Sequence, residues 1–230
     1  MMKETVELII DYPAIIATHL IKDEIDIGLI PVAVIPQLKE YHIISDFCIA
    51  SDGEVASVCL FSEATLNEVK TILLDYQSRT SVALLKVLLK EHWKISPNLV
   101  WASEGYESSI SGTTAGLVIG DRALVQRLQS KFIYDLGLAW KEMTSLPFVF
   151  AAWVSNKQMP PEFIAAFNKA NEFGFVNIDA VVNENTYTVY DLHKYYTGNI
   201  KFKPEFDKLE VISLFLDKIK GLNENAIINR

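Results

Sequence analysis

The run Asp75-Tyr76-Gln77-Ser78-Arg79-Thr80-Ser81 follows a short apolar stretch and opens one with helical periodicity, so it gathers hydroxyl, amide and guanidinium groups at a helix start. A helix start leaves several backbone N–H groups without intrahelical acceptors, and the helix dipole adds partial positive charge there. Ser and Thr side chains cap such groups. The same groups also bind carboxylates or phosphates. One hydroxyl suffices for a cap, and this run carries three together with Arg79. It therefore reads either as capping alone or as a carboxylate cradle. Gly120-Asp121 closes the apolar run 115–119, and turn chemistry by itself accounts for that pair. Ser57 follows the Asp52-Gly53 turn and could face a cleft. Leu146-Pro147 precede the strongly apolar run from Phe148, either as a rigid proline lead-in or as a cleft wall.

Other chemistries lack their signatures. His19, His42, His92 and His193 stand singly, and no His/Cys/Asp/Glu spacing suits a metal. There is no Gly-x-Ser-x-Gly elbow, no Walker A loop and no Gly-x-Gly-x-x-Gly. Cys48 and Cys59 form no Cys-x-x-Cys pair and read as small buried hydrophobes in a reducing compartment. The net charge of −8, with Lys and Arg scattered, argues against nucleic acid as a partner. An acidic protein that binds an anion must do so with local donors. No apolar run approaches the ~20 residues that span a bilayer. Met1-Met2-Lys3-Glu4-Thr5 lacks the apolar region of a secretory signal. A cytoplasmic protein without membrane contact is expected.

Apolar β-branched runs alternate with helical stretches, which predicts an α/β fold with mixed, mainly parallel sheets. Strands are expected at Val6–Ile10, Asp26–Ile30 (ending at Pro31), Val55–Phe61, Thr71–Asp75, Ala115–Ile119 and Phe148–Val154. Helices are expected at Ala14–Ile21, at Ser81–His92, from Pro160-Pro161 to about Gly174 with Phe163, Ile164, Phe167 and Ala170 buried, and from Pro204 to Lys220 through Leu209. No Gly/Ser linker separates domains. Two lobes would be joined by the long strands Val55–Phe61 and Phe148–Val154, lobe I comprising 1–57 and 154–230 and lobe II comprising 58–153. A cleft between them is where a ligand would bind.

The order Asp26-Ile27-Gly28-Leu29-Ile30-Pro31, Ser78-Arg79-Thr80-Ser81-Val82 and Val118-Ile119-Gly120-Asp121 resembles the chorismate dehydratase family. So does the stretch Asp135-Leu136, Trp140-Lys141, Thr144 to Ala151 and Trp153-Val154. The resemblance runs nearly end to end. It implies a two-lobed type II periplasmic-binding-protein fold. It also implies a carbon–oxygen hydro-lyase of the futalosine route to menaquinone, which dehydrates chorismate to 3-[(1-carboxyvinyl)oxy]benzoate without a cofactor. By the same resemblance Thr80 and Ser81 take a substrate carboxylate with Ser78 and Arg79 beside them. Ser57 is the catalytic contact, and Pro31, Gly120, Asp121, Leu146 and Pro147 line the cleft. Where the family has Gly this chain has Ser145, a change expected to be tolerated if φ there is negative.

The resemblance also marks a departure. Family members open with a strand and a Leu-Asn loop whose Asn reaches substrate, whereas Val6–Ile10 here corresponds to their second strand. A sheet without that central strand exposes backbone and core. The 230 residues alone are therefore expected to be weakly active or inactive, or to pair as a homodimer. Two other readings remain: a non-catalytic solute-binding protein for a small carboxylate, and the sister pathway enzyme acting on a cyclic futalosine derivative.

Overall fold

The computed structural model describes residue 2 and residues 5–222; Met1, Lys3 and Glu4, with the residues after 222, lie outside them. Eight strands are described: β1 (Ile27–Pro31), β2 (His42–Ser51), β3 (Val58–Ser62), β4 (Thr71–Leu74), β5 (Asn98–Trp101), β6 (Thr114–Ile119), β7 (Phe132–Asp135) and β8 (Phe148–Ser155). The helices are α1 (Pro13–Ile21), α2 (Thr80–Glu91), α3 (Gly120–Gln126), α4 (Leu136–Thr144), α5 (Pro161–Val176), α6 (Ile178–Glu184), the single turn α7 (Leu192–Lys194) and α8 (Lys208–Lys220). One sheet has the order β1-β8-β2 and the other β5-β4-β6-β3-β7.

The fold is α/β with mixed sheets, as expected, but antiparallel pairs predominate. Only β4 with β5 and β4 with β6 run parallel. β8 is antiparallel to β1 and β2, and β3 to β6 and β7. The reason is the crossing between sheets. β3 enters the second sheet from the first and runs away from their shared side, while β4 and β6 run toward it.

Val6–Ile10 forms no strand. Its side chains are exposed, Leu8 by 75% and Ile10 by 88%. A β-branched run becomes a strand only where a sheet edge offers backbone partners and a face to cover. The edge of β1 that faces away from β8 carries no strand among the described residues. The expected strand Val55–Phe61 starts only at Val58, because residues 55–57 form a tight turn.

The helix from Pro161 forms, but Phe163, Ile164, Phe167 and Ala170 are only half-buried. α5 lies over a sheet of three strands. Beneath its C-terminal half is an apolar cavity of about 470 Å³ lined in part by Leu29, Phe47, Trp153 and Phe175. On α8, Leu209 points to solvent, and the buried stripe is Val211, Ile212, Phe215 and Ile219.

The main core is dense where α4, β8 and α8 meet. Trp140 is fully buried and packs edge-on against Phe148 and Phe215, with its indole N–H donating to the Pro147 carbonyl at 2.9 Å. Such rings contribute both area and preferred geometry. Cys48 and Cys59 are free and buried; burial pushes the Cys48 thiol up to about 12. Among the described residues no helix is long and apolar enough to cross a membrane.

Ser145 ends α4 with φ +63°, the left-handed C-cap conformation. The condition of a negative φ is not met, so the side chain is strained there. Ser145→Gly is expected to stabilise the protein by about 1 kcal/mol and to raise the unfolding midpoint by about 2–4 °C. A thermal melt checks this, and a lower midpoint would contradict it.

Candidate active site

Because β4 and β6 are parallel, their carboxyl ends reach the same edge of the second sheet, with Leu73 opposite Gly116. β3 runs the other way and starts at that edge, with Val58 opposite Ile119. Ser57, Gly120 and the loop 75–81 therefore share one edge, on neighbouring strands spaced about 4.8 Å apart. In α/β sheets the carboxyl ends of parallel strands are where ligands bind.

The turn that presents Ser57 is held from several directions. The Asp135 carboxylate accepts from the N–H groups of Val55 at 3.1 Å and Ala56 at 2.7 Å, and from Leu138 at 3.0 Å as the cap of α4. Burial pushes the Asp135 carboxyl above the usual carboxylate range, and these three bonds pull it partway back. Asn199 donates to the Glu54 carbonyl, and Arg127 donates to the Ala56 carbonyl and the Glu54 carboxylate. Gly120 N–H donates to the Ser57 carbonyl at 2.8 Å. This bonding holds Ala56, wholly buried, at φ +63°. A left-handed alanine costs about 1–2 kcal/mol. Gly120 also has positive φ, at +66°, which explains a glycine at that point.

Ser57 is buried, and its Oγ lies 2.7 Å from the Tyr195 hydroxyl. Tyr195 begins the π-helical turn Tyr195–Asn199 that continues α7. Burial pushes its phenol up to about 12, partly offset by the bond to Ser57 and reinforced by the Asp121 carboxylate. It therefore remains an O–H donor at ordinary pH. Burial raises the Tyr187 phenol as well, with Asp121 again contributing. The Tyr187 hydroxyl is covered and has no hydrogen-bond partner among the described residues.

At the start of α2, Ser78 Oγ accepts from Ser81 N–H at 3.1 Å. Thr80 Oγ1 accepts from the N–H of Ala33 at 3.2 Å. Ala33 sits in the 3₁₀ turn Val32–Gln37 directly after Pro31, so this contact joins α2 to the first sheet's side. Arg79 is turned toward Thr18 of α1 at 3.4 Å. Beneath the loop, Asp75 is fully buried and accepts from Gln77 N–H, the Tyr106 hydroxyl at 2.9 Å and Arg122 at 2.7 Å. Arg122 also donates to Glu107 and Gln77 and lies over the Tyr76 and Tyr106 rings. The Leu117 carbonyl also lies within reach of the Tyr106 hydroxyl, whose single proton is shared between that carbonyl and Asp75.

Of the residues singled out from sequence, direct bonding joins Ser57 to Gly120, and Asp121 lies close enough to Tyr195 to act on it electrostatically. Ser78, Thr80 and Ser81 form one group, with Pro31 next to it through Val32 and Ala33. Leu146 and Pro147, just before β8, make hydrogen bonds with Thr144 and Trp140, and among the described residues no hydrogen bond joins either to Ser57 or Thr80. Tyr195, Tyr187, Asp135 and Arg122 were not anticipated as parts of the site. Asp135 ahead of an apolar helical run is a capping signal. The tyrosines carried none, since Tyr195 is 138 residues from Ser57 in sequence. No group of metal-ligating side chains occurs among the described residues.

Chorismate dehydratase from Thermus thermophilus is 35% identical over 136 residues, which is 52% of this chain and 49% of that protein. The chain thus matches about half the length of this curated relative. Among solved structures, an Archaeoglobus fulgidus protein superposes with a TM-score of 0.64 at 16% identity, over 93% of this chain and 83% of that one. An ABC transporter protein from Parabacteroides distasonis gives 0.61 at 16% identity, over 100% and 89%. The periplasmic aliphatic sulphonate binding protein of Escherichia coli gives 0.52 at 12%, over 95% and 80%. At these identities the structures establish the fold alone, that of the periplasmic-binding-protein type. The sequence profile of the menaquinone biosynthesis family matches residues 1–220, and the chain belongs to that family.

Proposed function

We propose that the chain is a chorismate dehydratase, a hydro-lyase that removes water from chorismate to give 3-[(1-carboxyvinyl)oxy]benzoate. The similarity to the Thermus thermophilus enzyme supports the substrate. The observation that carries the reading is the shared edge of the second sheet, which gathers a helix N-terminus with three hydroxyl residues and the strained, strapped turn bearing Ser57. Chorismate carries two carboxylates, and a protein of net charge −8 needs fixed local donors to hold them. The start of α2 at Thr80 and Ser81 supplies such donors, with Ser78 and Arg79 shaping the loop.

Loss of a ring proton and the C4 hydroxyl makes the ring aromatic, so the reaction runs strongly downhill. The protein's task is to orient the ring, stabilise developing charge and exclude water. Ser57 donates to the substrate, and Pro31, Gly120 and Asp121 shape the cleft around it. We place Leu146 and Pro147 at its hinge wall. The lobes proposed are 1–57 with the C-terminal part, and the segment between. The second crossing moves from residue 154 to Pro147, because β8 pairs in the first sheet along its whole length.

Incubation of the purified chain with chorismate, followed by ultraviolet absorbance and product mass, tests the reaction. Loss of one water from chorismate supports it. Saturable binding without turnover would instead favour a solute-binding protein, and a cyclic futalosine derivative consumed in place of chorismate would favour the sister enzyme. Pairing of two copies is supported by the open edge of β1 and by exposed Val6, Leu8, Ile9 and Ile10. Light scattering is expected to give a dimer mass, and a monomer mass would contradict the pairing.

A further inference from the structure

We propose that Tyr195 is the positioning residue for Ser57: its phenol donates to the serine hydroxyl and turns the serine's own proton toward the bound substrate. This rests on the reading of Ser57 as the substrate contact. Ser57 Oγ and Tyr195 Oη, 2.7 Å apart, are each other's only hydrogen-bond partners among the described residues. Each oxygen carries one proton, so one group donates inward and the other keeps a free O–H. A phenol is the stronger donor and an alkyl hydroxyl the better acceptor, which favours donation from Tyr195. Burial keeps the phenol protonated, so the direction does not change with ordinary pH.

The surroundings fit a fixed donor. The Tyr195 ring is packed against Tyr190 and Tyr196 at centroid distances of 6.2 and 5.4 Å. Two residues of the same turn grip the Ser57 loop: Tyr195 by its hydroxyl, and Asn199, which donates to the Glu54 carbonyl at 3.0 Å and accepts from Tyr190. The Ser57 backbone is already tied to Gly120. Rotation of its hydroxyl is the freedom left, and Tyr195 removes it. The orientation gained is of the kind that raises turnover more than affinity.

The test compares chorismate turnover by wild type, Tyr195→Phe, Ser57→Ala and the double variant. Tyr195→Phe keeps the packed ring and is expected to lower kcat on the order of tenfold with KM changed less than about twofold. The double variant is expected to be no slower than Ser57→Ala, because the tyrosine acts only through the serine. Unfolding midpoints recorded in parallel separate this from a folding effect: Tyr195→Phe should melt close to wild type. Wild-type kcat in Tyr195→Phe overturns the proposal, as does a double variant slower than Ser57→Ala by the full tyrosine factor. A wild type that forms the dimer and still does not consume chorismate defeats the underlying reading first, and the failure is then visible without any variant.

Discussion

Asp135→Asn is expected to destabilise the protein by about 3 kcal/mol, lowering the unfolding midpoint by about 6–12 °C. Both carboxylate oxygens of Asp135 accept backbone N–H groups: Val55 and Leu138 on one, Ala56 on the other. An amide has a single acceptor oxygen. Either Ala56 N–H meets an NH₂ group, or Val55 and Leu138 do. A buried donor left without an acceptor costs about 1–3 kcal/mol. The left-handed Ala56 turn then loses what holds it, and Ser57 shifts with it. Turnover is expected to fall together with stability, since orientation of Ser57 depends on this turn. A melt within about 2 °C of wild type would show that Asp135 does not hold the turn.

Arg122→Met is expected to cost about 3 kcal/mol or more. Asp75 has no solvent exposure, and Arg122, itself under a third exposed, is the cation that meets it. Removing one partner of a buried pair strands the other charge, and that is where the penalty arises. The second variant follows from the same physics. Asp75→Asn in the Arg122→Met background is expected to recover part of the loss, because no uncompensated charge is then buried. Urea or thermal unfolding of the two variants checks the order. Equal stability of the single and double variants would remove the charge argument. The loop 75–81 rests on this network, so weaker anion binding at α2 should accompany the loss.

Much of the second sheet could be read from residue types. Thr71–Asp75 and Ala115–Ile119 are short apolar runs that end in turn chemistry, and α2 shows a full leucine stripe. The loop 75–81 and Gly120-Asp121 stood out because glycine and hydroxyl residues have local reasons to sit at strand ends and helix starts. Three strands escaped notice. β2 breaks the polar–apolar alternation, since Ser45 and Ser51 are buried among its apolar residues and Asp46 alone in it is exposed. β5 and β7 are edge strands of four residues each and too short to show a period. Val6–Ile10 illustrates the opposite error. Its β-branched pattern satisfies every local rule, and the deciding factor is whether a neighbouring strand meets it.

The site followed the same division. Ser57 and Thr80 belong to motifs that are contiguous in sequence, and those motifs were visible. Tyr195, Arg122 and Tyr106 act across long sequence separations, joining segments whose proximity only the sheet order creates. Ser145 was a conformational question rather than a chemical one. The family's glycine at this helix end is the one signal of a positive φ, and the serine in this chain hides it.

A crystal structure of the chain with the dehydration product bound would locate the site directly. The expected density has a carboxylate within hydrogen-bond distance of Thr80 or Ser81 at the start of α2, and the ring beside Ser57 and Tyr195. Density instead in the apolar cavity between Leu29, Trp153 and Phe175 would contradict the assignment of the site to the edge of the second sheet.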